Sequence, residues 1–466
     1  MKRISLGPVL VLTAAISVGR ADECLTWQEK PSAGPCGRWY GTLAHDAARG
    51  QTILFGGKQH TFTFGDTWAW NGDSWAQVAN SGPSARYEAG MAYDSSRGVV
   101  VLVGGADAFC DPLSDTWEWS GSAWTLVDTA GPGGFISRHA MAYDSARGTV
   151  VVFGGYRCND CSSSTWLWDG IDWKRQQPPI GPASRQWAAM AFDELRSVTV
   201  LFGGFSINDP IAFGDTWEWD GATWTLVQTA GPPPRYGHAM AYNAIIGRVV
   251  MFGGNDGINS VLDDTWEWDG QNWTATVANG PSPRVYPSMA FDSDRAEIVL
   301  FGGGDGEEFY SDTWAAQAVT TPPTEITTQP GNIIACPGAS AEFVVTTSGT
   351  PPTGYSWRHN GLPTQDDGRI HGSHANTLTI EPVSLADAGA YDVIVSSMCE
   401  SQTSDFAMLS TDFPGDLNHD GDVDLGDLGE VLAAYGRSAQ GDIDGDGDTD
   451  LSDLGVVLSE FGQTCP

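Results

Sequence analysis

The sequence predicts a mainly β protein: a six-bladed β-propeller, then a β-sandwich, then a small α-helical module built on two metal-binding loops. Three observations carry this. A unit of about 50 residues recurs six times, a later segment holds the Trp and Tyr markers of a sandwich, and two Asp-rich loops near the end repeat in register. The chain has 466 residues, enough for about three domains. With 58 Gly, 20 Trp and only 17% charged residues, it favours short strands and tight turns. Acidic residues outnumber basic ones 58 to 23, a net charge of −35. Such a field repels phosphate backbones and anionic bilayers, which argues against nucleic acid as a partner.

The first element is a leader. Lys2 and Arg3 precede an apolar run from Ile4 to Val18, and Gly19-Arg20-Ala21 ends it with small residues where a signal peptidase reads. Residues 1–21 are expected to be removed, giving a secreted, extracellular protein with no membrane insertion, since the run is short for a span. Eight cysteines remain: Cys24, Cys36, Cys110, Cys158, Cys161, Cys336, Cys399 and Cys465. An even number in an oxidising compartment predicts disulfides, with no connectivity fixed.

The repeats come next, over residues 22–319. An apolar run ending in Gly-Gly recurs at Gly56, Gly104, Gly154, Gly203, Gly253 and Gly302, spaced 48, 50, 49, 50 and 49 residues apart. Each pair is followed by Asp-Thr-Trp-x-Trp or a relative, and in the first five units then by a third Trp and a Gly-Pro loop. Four short strands per unit, named a to d in chain order, read as one propeller blade. In the fifth unit they fall at Arg235–Tyr242, Arg248–Gly253, Asp264–Trp268 and Trp273–Val277. Trp266 and Trp268 lie two apart, share a face and are expected to fill the wedge between blades. The sixth unit lacks a Trp-bearing strand d, and Leu25-Thr26-Trp27 is expected to supply it. Arg38, Arg86, Arg185, Arg235 and Arg284 recur before strand a, whereas the third unit has Ile136 there and Ser164 in place of the strand-c Asp. The joint loss predicts that Arg and Asp of one blade face each other.

The blade topology puts the b–c and d–a loops on one face. The b–c loops differ in every unit, and irregular loops on a rigid scaffold are where function tends to sit. Asp107, Asp111, Asp209, Asp256, Asp305, Glu307, Glu308 and Tyr310 are therefore the candidate ligand-binding residues. The alternative is that these acids only solvate the loops. Cys36, Cys110, Cys158 and Cys161 are placed on the same face, with a structural bridge favoured for Cys158-x-x-Cys161.

The run Arg-x-x-His-Ala-Met-Ala-Tyr, the Val-Val-x-Phe-Gly-Gly strand end and the Trp after it resemble kelch repeats of galactose-oxidase-type propellers. The resemblance implies the fold, and a platform for protein or glycan ligands more often than an enzyme. The copper constellation of galactose oxidase is not found in the sequence. His139 and His238 occupy a kelch-consensus position and read as structural.

Residues 320–330 are rich in Thr and Pro, a linker by composition. Residues 331–411 then resemble a bacterial immunoglobulin-like domain, with Trp357 as the buried Trp of its strand C and Asp387-Ala388-Gly389-Ala390-Tyr391 as the tyrosine corner. Val345 and Val393 stand where the inter-sheet cysteines would fall, and Cys336 and Cys399 flank the sandwich instead, placed to bridge its edges.

The tail, 414–466, carries two loops with EF-hand spacing. The first offers Asp416, Asn418, Asp420, Asp422, Asp424 and Asp427; the second offers Asp442, Asp444, Asp446, Asp448, Asp450 and Asp453. Oxygen ligands at this spacing suit Ca²⁺ better than the smaller, octahedral Mg²⁺, so two calcium ions are expected. The apolar stripes Leu428, Val431, Leu432, Tyr435 and Leu454, Val457, Leu458, Phe461 predict one helix after each loop. Asp at the twelfth position, the 26-residue offset and the single helix per copy resemble a type I dockerin pair. The resemblance implies docking to a cohesin-like or other scaffold protein, although Leu425-Gly426 and Leu451-Ser452 depart from the usual Ser-Thr.

The function these parts imply is a secreted binding protein, its propeller loop face recognising a glycan or protein and its tail docking with calcium. The alternative is a glycan-acting hydrolase or lyase with acidic catalytic residues in the b–c loops, within a polysaccharide-degrading system.

Overall fold

Each repeat folds around a second strand that is buried along nearly its whole length, while the fourth strands led by Trp75, Trp124 and Trp273 are buried only at that Trp. In the fifth repeat Val249, Val250, Met251 and Phe252 are fully buried, so this strand is central, while Thr274 and Ala275 beyond Trp273 are exposed, so theirs is the outer edge. Strands Ala239–Asn243, Arg248–Asn255, Val261–Trp268 and Trp273–Thr276 pair antiparallel in chain order. Six such four-stranded sheets form. Their first strands pack side by side in succession and the sixth returns to the first, the arrangement of propeller blades. The computed structural model describes residues 23–30, 33–134, 136–157, 160–208, 210–228, 231–258, 260–276, 280–320, 324–349, 351–352, 354–397, 401–418, 421–436 and 441–464. The expected leader, Cys158, Asp209, Cys399, Asp420 and Cys465 lie outside them. Two units separate, 23–319 and 320–466, and each is described by itself.

The ring is closed by its two ends. The sixth sheet runs Ser288–Asp292, Glu297–Phe301, Thr313–Thr320 and, outermost, Glu23–Lys30. Trp27 donates to Thr265 Oγ1 at 3.0 Å in the neighbouring fifth sheet and meets the Phe252 ring edge-on at 5.4 Å. The same tie links every other pair of neighbours: Trp75 to Thr313, Trp124 to Thr67, Trp173 to Thr116, Trp224 to Thr165 and Trp273 to Thr216, all at 2.8–3.0 Å. The third Trp of each repeat is thus an interblade clamp. The second (Trp70, Trp119, Trp168, Trp219, Trp268) is fully buried, as expected of core.

The Arg series is structural. Arg38, Arg86, Arg185, Arg235 and Arg284 are buried, and each guanidinium takes both oxygens of its blade's Asp, as Arg235 takes Asp264 at 2.5 and 2.8 Å. The first Trp of the strand-c motif donates to that same carboxylate, Trp266 to Asp264 at 2.6 Å. In the third blade Ile136 fills the Arg position and is buried.

The cysteine expectation needs correcting. Cys36, Cys110 and Cys161 are free thiols. Cys161 is buried with Sγ 4.0 Å from the Phe205 carbonyl, and Cys110 lies beside Tyr87, so each faces a different neighbour instead of another sulfur. Cys336 is disulfide-bonded, as expected of a cysteine flanking the sandwich.

In the second unit, Ile333–Ile334, Ala407–Ser410, Gly389–Ser396, Gly354–His359 and Leu362–Pro363 order one sheet, and Ala341–Val344, Thr377–Ile380 and Ile370–His371 the other. Trp357, Val345, Val393 and Tyr391 are buried between them, and the Tyr391 hydroxyl donates to the Asp387 carbonyl at 2.9 Å. The stretch read as a linker differs in part. Glu325–Thr328 pairs with Thr346–Ser348, because its Ile and Thr side chains are β-branched strand formers and Gln402 accepts the Ile326 N–H. Two helices, α1 (Leu425–Ala434) and α2 (Leu451–Glu460), close the chain around a core of Val423, Val431 and Val457.

Candidate functional site

Two residues after each Arg-series position, before strand a begins, the backbone turns left-handed. Tyr40, Glu88, Arg138, Trp187, Gly237 and Tyr286 occupy this place with φ between 55° and 64°. Each N–H donates to the carbonyl of the equivalent residue in the preceding blade, from Tyr40 to Tyr286 at 3.4 Å through Glu88 to Tyr40, Arg138 to Glu88, Trp187 to Arg138, Gly237 to Trp187 and Tyr286 to Gly237. Six hydrogen bonds therefore close a circle across the ring. A side chain at Gly237 would meet the Tyr286 ring at 2.5 Å, so Gly there is required by close packing as well as by φ.

The side chains on this circle do not repeat. The Tyr40 and Tyr286 rings lie 4.0 Å apart, Tyr286 and Trp187 5.6 Å apart, and Trp187 stacks on Tyr236 at 5.6 Å. Arg138, two residues after Ile136, bonds Glu88 at 2.7 Å and Gln186 at 3.0 Å and lies over the rings of Trp187 and Tyr156. Burial pushes the Glu88 carboxyl above the usual range, and the Arg138 charge and hydrogen bond oppose that shift. Burial also raises the hydroxyls of Tyr40 and Tyr286, which keeps both protonated.

Above Tyr40, Glu88, Arg138 and Trp187 opens a cavity of about 510 Å³, walled by Trp39, Tyr87 and Phe309 and edged by Lys58, His60 and Glu307. Trp39 and Phe309 lie 4.5 Å apart, and His60 meets Phe309 edge-on at 4.6 Å. Lys58 Nζ sits 4.5 Å over the Tyr87 ring. Below the circle is a chamber of about 120 Å³ that includes His139 and His238 in its wall. Burial, helped by the Arg235 charge, pushes His238 down to about 3, a neutral and structural histidine.

The cavity lies on the b–c loop face, yet only Glu307 of the expected loop residues lines it. Asp107 accepts the Phe109 and Asp111 amides, Asp256 those of Ile258 and Ser260, and Asp305 those of Glu307 and Glu308, all at 2.8–3.0 Å. These aspartates shape their own turns. Asp111 and Glu308 are exposed, Tyr310 lies under the Arg284 guanidinium at 4.6 Å, and Asp209 is outside the described residues. Sequence reasoning missed Tyr40, Glu88, Arg138, Trp187 and Tyr286. Their signal is a column of the repeat that varies (Tyr, Glu, Arg, Trp, Gly, Tyr) beside columns that do not.

The tail forms a second candidate site. Asp442, Asp444 and Asp453 bring one carboxylate oxygen each within 4.8 Å of one another. Gly421 and Gly447, sixth in their loops, turn with φ of 91° and 102°. Each donates its N–H to the first loop aspartate, Gly421 to Asp416 at 2.8 Å and Gly447 to Asp442 at 3.0 Å. The twelfth residues, Asp427 and Asp453, each accept three backbone amides and staple loop to helix. An all-oxygen donor set of this kind fits a hard cation. The apolar stripes are buried only in part: Val431 and Val457 are inside, while Leu432, Leu458, Tyr435 and Phe461 stay between 43% and 56% exposed.

Residues 218–350 match the KLHDC2/KLHL20/DRC7 Kelch-repeats domain, and residues 324–409 match the Immunoglobulin I-set domain. The chain carries kelch repeats and an I-set domain. The kelch match runs past the last ring strand, which ends at Thr320, into the sandwich. No curated protein matches the chain. Solved structures similar to part of it include titin M4 in a trigonal form (23% identity, 19% of this chain and 93% of that one, TM-score 0.18). A chimeric titin Z1Z2 (24%, 20% and 96%, 0.18) and titin M3 (24%, 19% and 94%, 0.17) are others.

Proposed function

We propose that the kelch ring is a glycan-recognition module and that the tail is a dockerin-like, calcium-dependent docking module of the same secreted protein. The observation that carries the first part is the circle of left-handed residues. Five bulky or charged side chains stand at a strained position on a rigid ring, and four of them, Tyr40, Glu88, Arg138 and Trp187, line an aromatic-walled cavity large enough for a sugar unit or two. Aromatic faces pack against the C–H faces of pyranose rings, and the Glu88–Arg138 pair offers fixed donors and acceptors to hydroxyls. Catalysis is less well supported, since Glu88 is tied to Arg138 and both tyrosines on the circle are held protonated.

For the tail, the donor set fits calcium, and the exposed Leu432, Leu458, Tyr435 and Phe461 form matched apolar patches on the two helices, suited to a cohesin-like or other scaffold protein. The leader read at residues 1–21 supports export. The test is a glycan array and polysaccharide pull-down with the full chain, with products assayed for turnover. Retention by glycans that Trp39→Ala abolishes supports the reading. Turnover that Glu88→Gln abolishes replaces it with the enzyme.

A further inference from the structure

We infer that the ligand of the kelch-ring cavity is an anionic saccharide, its carboxylate or sulfate group seated against Lys58. The inference rests on the glycan reading above and narrows it. In the ring, every lysine and arginine whose side chain is described has a carboxylate within 4.0 Å among the described residues, except Lys58 and Arg175. Arg175 lies on an outer strand and reaches Ser164 at 3.3 Å. Lys58 is different: it lines the cavity, half-buried, with only the Tyr87 π-face beneath its ammonium.

The chain has 58 acidic residues, yet among the described residues none brings a carboxylate within 4.0 Å of this ammonium. Glu88 feels the Lys58 charge, but its carboxylate is bonded to Arg138 at 2.7 Å. Glu307 stands exposed at the rim, where solvent and salt screen it. A partly desolvated ammonium held by an aromatic face, beside Trp39, Tyr40 and Phe309, is complementary to an anionic group carried on an apolar ring face. A sugar acid or a sugar sulfate has both parts. A neutral glycan would leave the Lys58 charge unanswered.

The test is calorimetry of the full chain with an oligogalacturonate, a sulfated galactan oligosaccharide and a neutral xylo-oligosaccharide. Wild type is compared with Lys58→Met, which keeps the stem packing on Tyr87. One or both anionic ligands should bind more tightly than the neutral one, with an affinity that falls as salt rises. Lys58→Met should weaken that binding about 10–100-fold, the worth of a charge-assisted hydrogen bond, weaken neutral binding far less, and lower the melting temperature by no more than about 2 °C. Which anionic ligand responds separates carboxylate from sulfate. Neutral and anionic ligands binding alike, or anionic binding unmoved in Lys58→Met, overturns this inference and leaves the glycan reading standing. Binding of no glycan of any class overturns both.

Discussion

Replacing Trp27 by Ala removes the clamp by which the N-terminal strand closes the ring. Trp27 is buried, donates to the buried Thr265 hydroxyl at 3.0 Å and packs edge-on against Phe252. A buried Trp→Ala change costs roughly 3–5 kcal/mol through lost contacts and the cavity left behind. With an unfolding entropy of about 2.1 cal/mol/K per residue, a ring of this length loses roughly 0.6 kcal/mol per degree, so its melting midpoint should fall by about 5–8 °C. Trp75→Ala is the internal control. Trp75 makes the same contacts, Thr313 at 2.8 Å and Phe301 at 5.3 Å, but from a strand in mid-chain. Calorimetry should give similar falls for both variants, and amide exchange in Trp27→Ala should rise first over residues 23–30. A melting curve unchanged by Trp27→Ala while Trp75→Ala lowers it would refute closure by this strand.

The Arg–Asp pairs set the acid limit of the ring. Burial raises Asp115, Asp215 and Asp264, but the hydrogen bonds and charges of Arg86, Arg185 and Arg235 outweigh it and leave each carboxyl below its ordinary range. Their stabilisation is complete above the unfolded carboxylate pKa of about 3.9 and is lost as pH falls through the lower native values. Urea midpoints should therefore hold from pH 7 to 5 and drop below about pH 4. Arg235→Gln should cost near the low end of roughly 3–5 kcal/mol at pH 7, since Asp264 keeps 33% exposure, and should flatten the acid slope. For the tail, calcium titration of the full chain should give two ions, Asp453→Ala should leave one, and a chelator should remove the helical signal of α1 and α2. Helicity unmoved by the chelator would oppose coupled folding.

What the sequence made legible is what the ring repeats. The third Trp, the Arg–Asp pair and the missing sixth strand d were readable because each copy reports on the others, and the exception at Ile136 and Ser164 pointed to the contact between Arg and Asp. The face on which the candidate cavity opens was readable from topology. The lining of that cavity was not, because irregular loop length drew attention to Asp107, Asp256 and Asp305, whose carboxylates accept turn amides. Turn-forming and ligand-binding aspartates look alike in sequence. Tyr40, Glu88, Arg138, Trp187 and Tyr286 sit instead in a segment of fixed length, and only the φ values and the circle of backbone bonds bring them together. The tail was legible in its loops but not in its surface, since helical period alone does not separate a stripe that packs from one that stays open.

The strain on that circle gives a way to test the proposed recognition site against a mere plug of the ring. A left-handed backbone costs a bulky residue of order 1–3 kcal/mol, and five of the six positions bear that cost where Gly237 shows a glycine fits. A plug needs only bulk, and unstrained bulk from the neighbouring strands would serve. Trp187 gives the sharpest test, because its indole stacks on Tyr236 and under Arg138, contacts worth roughly 0.5–1.5 kcal/mol each. Trp187→Gly removes those contacts and the strain together. The strain relief offsets part of that loss, so stability should fall by less than about 3 kcal/mol while retention on the glycan that wild type binds is lost. Chemical denaturation and affinity electrophoresis of the same sample measure the two. A loss of stability beyond about 3 kcal/mol, the cost of an ordinary buried Trp truncation, with retention intact, would mean that Trp187 holds the ring together and reads nothing.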